Sequence, residues 1–122
     1  MGEPAPSPEI SMPYRIMGFL AAALLAASSC AVDKGPEYRL VLKDHRFSPA
    51  ELTVPSGQKL RLVVENQDPT PEEFESHSLQ REKIVPAHGT ITVNVGPLKP
   101  GRYEFFGEFN EKTARGWLVA TP

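Results

Sequence analysis

Residues 38–65 read YRLVLKDHRFSPAELTVPSGQKLRLVVE, and the apolar spacing within them sets the expected fold. Tyr38, Leu40 and Leu42 fall on one face of an extended segment that runs to Asp44. Successive side chains of a strand point to opposite faces, so a period of two marks a half-buried strand. Phe47 to Val54 reads as a second strand, irregular at Ser48-Pro49. Pro55-Ser56-Gly57-Gln58 reads as a turn in which Gly57 can take positive φ. Leu60, Leu62 and Val64 then alternate with Arg61, Val63 and Glu65 in a third strand.

The same grammar continues to residue 120, with no convincing helix. Ser76 to Ala87 is read as two short strands meeting near Gln80, with Leu79, Ile84 and Val85 inward. Thr90 to Val95, TITVNV, is strongly β-prone. Residues 96–101, GPLKPG, form a turn. Tyr103, Phe105 and Phe106 begin the next strand, Gly107 to Arg115 is a loop, and Gly116 to Ala120 closes the domain. Short strands separated by turn residues favour a two-layer sandwich or barrel, here a β-sandwich of about seven to eight strands. A chain of 122 residues suffices for one such domain and not for two. A net charge of −2 supplies no basic field for nucleic acid.

The N-terminal segment reads as an export signal. Ile16 to Ala27 is an apolar run of about 12 residues, too short to span a bilayer as a helix and suited to a signal-peptide core. Arg15 precedes it and Ser28, Ser29 and Cys30 follow. Residues 1–30 are therefore expected to be a signal peptide, 31–37 a polar tether and 38–122 the domain. The acidic, Pro-rich residues 1–11 fit a signal badly, so translation is expected to start at Met12 or Met17. Ala27-Ser28-Ser29-Cys30 resembles a lipoprotein processing site that would lipidate Cys30. Cleavage near Ala31 with soluble export, or an uncleaved anchor, are the alternatives. The expected location is the periplasm or cell envelope. Cys30 is the sole cysteine, so no intrachain disulfide can form.

Chemistry concentrates in Asn66 to Ser76, NQDPTPEEFES. Between Leu62 and Gln80 there is no Lys or Arg, although Asp68, Glu72, Glu73 and Glu75 all lie there. Such carboxylates raise one another's pKa and attract cations. A solvated acidic loop is the plainer explanation of the same run. Strand parity predicts that the loops after strands 1, 3, 5 and 7 share one end. That end would gather Asp44-His45-Arg46, the acidic stretch, His88 and Glu108 to Ala114, with His77 just beyond. All three histidines and the acidic cluster are thus expected at one tip.

Four stretches carry a resemblance: KDHRFSPAELTVPSGQKLRLVVENQD, TPEEFESHSLQREK, VGPLKPGRYEFFGEFNEKTARG and WLVA. Together they resemble the cupredoxins, and within them the EfeO-type cupredoxin-like domains that accompany bacterial high-affinity iron permeases. The Phe47 to Gly57 run is general to cupredoxins; TPEEFES with FGEF and the following TA-x-G is more specific. The resemblance implies a Greek-key β-sandwich and a metal site at one tip. It places the first copper histidine near Glu72, the copper cysteine near Gly107, and the second histidine and the methionine within Glu108 to Arg115. None of those ligands is present at these positions. A blue site depends on a copper–thiolate bond, so no type 1 copper is expected.

The remaining metal candidates are Glu72, Glu73, Glu75, His77, Glu108 and His45, with His88 further out. Carboxylate with imidazole suits Cu(II), iron or Mn(II) better than Cu(I). For each a bland role competes: Glu73 and Glu75 facing water, His77 bonded to backbone, Glu108 capping its loop, His88 serving a turn. Arg46 beside His45 opposes metal there. Trp117, Phe105, Phe106 and Phe109 are read as core. The expected function is periplasmic handling of copper or iron for an iron permease. A metal-free docking module is the alternative. No nucleophile–base pair or phosphate loop suggests an enzyme; ferroxidase-like assistance is the one activity kept.

Overall fold

The computed structural model describes residues 2–4 and 35–122. The expected signal peptide, its start codons, Cys30 and most of the tether lie outside the described residues. The described domain holds nine strands in two sheets. They are β1 (Glu37–Lys43), β2 (Arg46–Ser48), β3 (Glu51–Pro55), β4 (Leu60–Asn66), β5 (Glu72–Ser76), β6 (Arg81–Val85), β7 (Thr90–Val95), β8 (Gly101–Gly107) and β9 (Arg115–Thr121). One sheet has the order β2-β1-β4-β7 and the other β3-β9-β8-β5-β6. β1 runs parallel to β4 and β3 parallel to β9; the remaining pairs are antiparallel. Parallel neighbours arise because the chain crosses between the sheets, so the Greek-key sandwich expected from the sequence is the observed architecture.

Alternation explains the core. Leu40 and Leu42 of β1, Leu60, Leu62 and Val64 of β4, and Ile91, Val93 and Val95 of β7 turn one apolar face toward the second sheet. Phe47, Phe74 and Phe105 meet between the layers. The Phe47–Phe105 ring pair is edge-on at 4.9 Å, and Phe74 stacks on Phe105 at 5.5 Å. Fully burying such side chains stabilises by about 1.5–3 kcal/mol each.

Three details depart from the sequence expectation. Phe47 to Val54 is two strands in different sheets, because Pro49 lacks the N–H needed to continue one ladder. The second half of the acidic stretch is not a loop: Glu72–Ser76 is β5, between β8 and β6. Ile84 points outward and is 49 % exposed, whereas Val85 and Leu79 are buried. Neighbouring residues of one strand cannot both face the core.

β1 and β4 end together, and β7 begins beside them. The three connections 44–45, 67–71 and 86–89 therefore meet at one tip, together with residues 108–114 after β8. Asn66 locks two of these loops to the end of β6. Its side-chain amide donates to the Thr70, Val85 and Pro86 carbonyls, and its Oδ1 accepts from the Asp68 N–H. Asp68 in turn accepts from the N–H groups of Asp44 and His45. The turns at 55–58 and 96–101 occupy the opposite tip, joined by the Gly57 N–H donating to Leu98 O.

Candidate metal site

The position where the resemblance puts a copper thiolate is filled by hydrogen bonds. Glu72 opens β5 with its side chain inward, 3 % exposed. Its Oε1 accepts from the Phe109 N–H at 2.8 Å and from the Glu73 N–H at 3.0 Å. Its Oε2 accepts from Asn110 Nδ2 at 2.6 Å. Gly107 backs directly onto this carboxylate. A Cβ there would lie 2.6 Å from Glu72 Cδ and 2.8 Å from the Ala114 Cβ. The glycine φ of −95° is ordinary, so space rather than backbone conformation demands glycine. The residues present do not fit a type 1 copper: the thiolate position has no room, and residues 108–115 hold neither histidine nor methionine.

Glu73, the next residue of β5, points to the opposite, outer face of the five-stranded sheet. Its carboxylate comes together there with those of Glu82 and Glu108, ligand oxygens lying within 4.8 Å of one another. Glu75 follows two residues on and faces Glu82 directly across the β5–β6 hairpin. Glu108 begins the short 3₁₀ turn Glu108–Asn110 that leaves β8. Among the described residues, no ion pair joins Glu73, Glu82 or Glu108 to a Lys or Arg.

Crowded carboxylates do not all ionise. Sharing a proton with Glu82, and then with Glu108, pushes Glu73 from 4.5 up to about 8, with burial adding to the effect. Burial raises Glu75, helped by its bond to Glu108 and by the charges of Glu108 and Glu82; His77 opposes the rise. Asp68 at the tip behaves oppositely. Burial by itself would lift it, but the N–H groups of His45 and Asp44 and the charges of His45 and His88 bring it below 3.8.

The six predicted ligands therefore separate. Glu73, Glu75 and Glu108 meet on the outer sheet face. Glu72 sits behind them, bonded to the loop. His77 is not at the tip with the other histidines. It follows the last residue of β5, roughly 13 Å down the strand at ordinary rise per residue. There its Nδ1 is 3.8 Å from Glu75 Oε1 and its ring lies against Phe106. His45 and His88 do reach the tip, where His45 Nδ1 is 3.7 Å from Asp68 Oδ2. His45 faces Glu108 and residues 109–113 across an open cleft of about 510 Å³. The tip cleft and the carboxylate cluster are thus neighbours that share Glu108. Phe109 and Trp117 are not core: they are 52 % and 38 % exposed. Arg102 covers the Trp117 ring at 4.9 Å.

Glu82 is the member that the sequence reading missed. Its signal was available: a four-residue turn at 77–80 pairs Ser76 with Arg81 and so Glu75 with Glu82. Four clustered carboxylates, with imidazole only at the margin, make a hard, oxygen-rich site. Such oxygen donors suit hard cations such as Mn(II) better than Cu(I).

Comparison with known proteins agrees with this fold. The chain is 49 % identical over 83 residues to the uncharacterized protein RP394 of Rickettsia prowazekii (strain Madrid E). That match covers 68 % of the chain, which spans 66 % of the relative's length. Among solved structures the chain resembles auracyanin A, a blue copper protein from Chloroflexus aurantiacus. The TM-score is 0.61 at 15 % identity, covering 71 % of this chain and 100 % of that one. It also resembles the metal-binding domain of the Streptococcus pneumoniae D39 Cu(I)-exporting P-type ATPase CopA, solved with Cu(I). There the TM-score is 0.61 at 16 % identity, over 72 % of this chain and 88 % of that one. A family model described as the cupredoxin-like domain matches residues 16–120, and the protein belongs to that family.

Proposed function

We propose that this is an exported cupredoxin-like metal-binding protein that carries a hard cation, iron or Cu(II), as cargo on the outer face of its five-stranded sheet. The observation that carries this reading is the meeting of Glu73, Glu82 and Glu108 with no Lys or Arg ion-paired to them among the described residues. Three carboxylates at that spacing repel one another when ionised, and a cation relieves the repulsion. Copper has the further support of the copper-binding neighbours. Iron, and delivery to a membrane iron permease, rest on the resemblance to EfeO-type domains. The proposed role is binding and hand-over in the periplasm or at the envelope, with a lipid anchor at Cys30 where that residue is processed, and not catalysis.

Titration of the mature protein with Cu(II) and, anaerobically, Fe(II) tests the proposal, with native mass spectrometry reading the stoichiometry. The expected result is one cation per chain at micromolar or tighter affinity. The combined change Glu73→Gln, Glu82→Gln and Glu108→Gln should weaken it by about 10–100-fold or more. No uptake of either ion at micromolar levels would sink the proposal. The exposed Phe109 beside the tip cleft favours one second reading, a metal-free docking module. That reading expects the triple variant to leave metal content unchanged and to break a complex with a membrane partner.

A further inference from the structure

Glu72 and Glu73 are consecutive on β5 and point to opposite faces of the sheet. Glu73 meets Glu108 on the outside. Glu72, from the inside, bonds the backbone N–H of Glu73 and of Phe109, the residue after Glu108. Both bonds go to the same oxygen, Oε1, while Oε2 takes the Asn110 amide. One buried carboxylate therefore ties the main chain of one cluster residue to the main chain beside another.

The rest of the loop is held to itself and to the end of β8. Ala114 N–H donates to Asn110 O, Thr113 N–H to Asn110 O, and Gly107 N–H to Ala114 O. Those bonds shape the loop but do not set its height against β5 beyond the Phe74–Gly107 and Glu75–Phe106 pairings. We propose that Glu72 is a positioning residue for the cation site: it holds Glu108 where its carboxylate reaches Glu73 and Glu82. This rests on the proposed function above. It also gives a reason for the acid where the resemblance expects a copper histidine. Three donors converge on this side chain, and an ionised carboxylate is all acceptor. An amide there is a weaker, neutral acceptor for the two N–H groups and faces Asn110 with a donor unless that amide flips.

The test uses the full mature chain and Cu(II), with affinity from calorimetry and ligand field from electron paramagnetic resonance. Asn110→Ala removes one bond without changing charge. It is expected to weaken Cu(II) binding several-fold and to broaden or split the spectrum as Glu108 loses its fixed place. Glu72→Gln should lose about tenfold or more. Combining it with N110D should recover most of that loss and the wild-type spectrum, because an amide can then donate to a carboxylate across the same gap. Thermal unfolding of each variant separates a misplaced loop from a lost fold. If E72Q does not fold, Asn110→Ala alone decides.

Wild-type affinity and spectrum in Asn110→Ala and Glu72→Gln, with the wild type binding normally, would overturn the positioning role and leave the cation site standing. Loss in E72Q without recovery in the double variant would overturn it as well. A wild type that takes up no Cu(II) and no Fe(II) removes the proposed function and this role together.

Discussion

Glu73 shows how one residue's surroundings set its chemistry. Its carboxyl titrates near 8 in the fold, against 4.5 ordinarily, because it shares protons with Glu82 and Glu108. Between those values the folded chain holds a proton that the unfolded chain has released. The stability this group contributes is therefore fully present below about pH 4.5, declines as pH rises toward 8, and is lost above it. Glu75 is raised too and acts in the same direction. With a chelator present, the melting temperature should fall between pH 5 and pH 8, and Glu73→Gln should flatten that slope. An unchanged slope in the variant would mean that the cluster is not the source. Gly107 makes the opposite point, a residue chosen for what it lacks. Gly107→Ala drives a methyl into Glu72 and Ala114, and should cost about 1–3 kcal/mol by urea unfolding. Gly107→Cys alone should yield no intense copper–thiolate absorption, because the Glu72 carboxylate already occupies the space the sulfur needs.

Strands and loops carry the next level. The tip is organised by Asn66, buried at the end of β4 and bonded to two loops and the last residue of β6. Asn66→Ala removes the side-chain bonds to the Thr70, Val85 and Pro86 carbonyls and to the Asp68 N–H; those to Val85 O and the Asp68 N–H are buried. It should lower stability by about 2–4 kcal/mol in urea unfolding, far more than a surface change. A cost below about 0.5 kcal/mol would show that water replaces the amide without penalty. At the side of the sandwich β6 and β7 are both edge strands. Arg81 Nε donates to Asn94 O and Lys83 Nζ to Thr92 O, so long basic side chains cover backbone acceptors that another chain could otherwise use. Replacing both by Ala should cost little stability and increase self-association on concentration, read by light scattering. A strictly monomeric double variant would assign that protection elsewhere.

For the molecule as a whole, the five-stranded sheet brings together groups that belong to three separate segments, β5, β6 and the turn after β8. The cation proposed for the outer face must displace the proton shared by Glu73, Glu82 and Glu108. Below about pH 8 the affinity should therefore rise by about tenfold per pH unit if one proton leaves with each cation, and flatten above. Calorimetry in buffers of different ionisation enthalpy counts that proton directly. A pH-independent affinity would place the cation away from this cluster, and the tip cleft beside His45 would be the next place to look.

The sequence alone determined the two-layer β architecture, the turns at 55–58 and 96–101, and the absence of a thiolate for copper. Alternation, turn residues and composition are local properties, legible without knowing what touches what. It also led to Glu73, Glu75 and Glu108, through the lack of neighbouring cations and a family resemblance. Only the tertiary structure decided that Glu72 turns inward while Glu73 turns outward, that Glu82 joins the cluster, and that His77 lies down the flank. Those outcomes depend on the point at which the acidic stretch becomes strand. A shift of one residue there sends every following side chain to the other face. Contact between β5, β6 and the loop after β8 is likewise made by closing the sheet, which no single segment encodes.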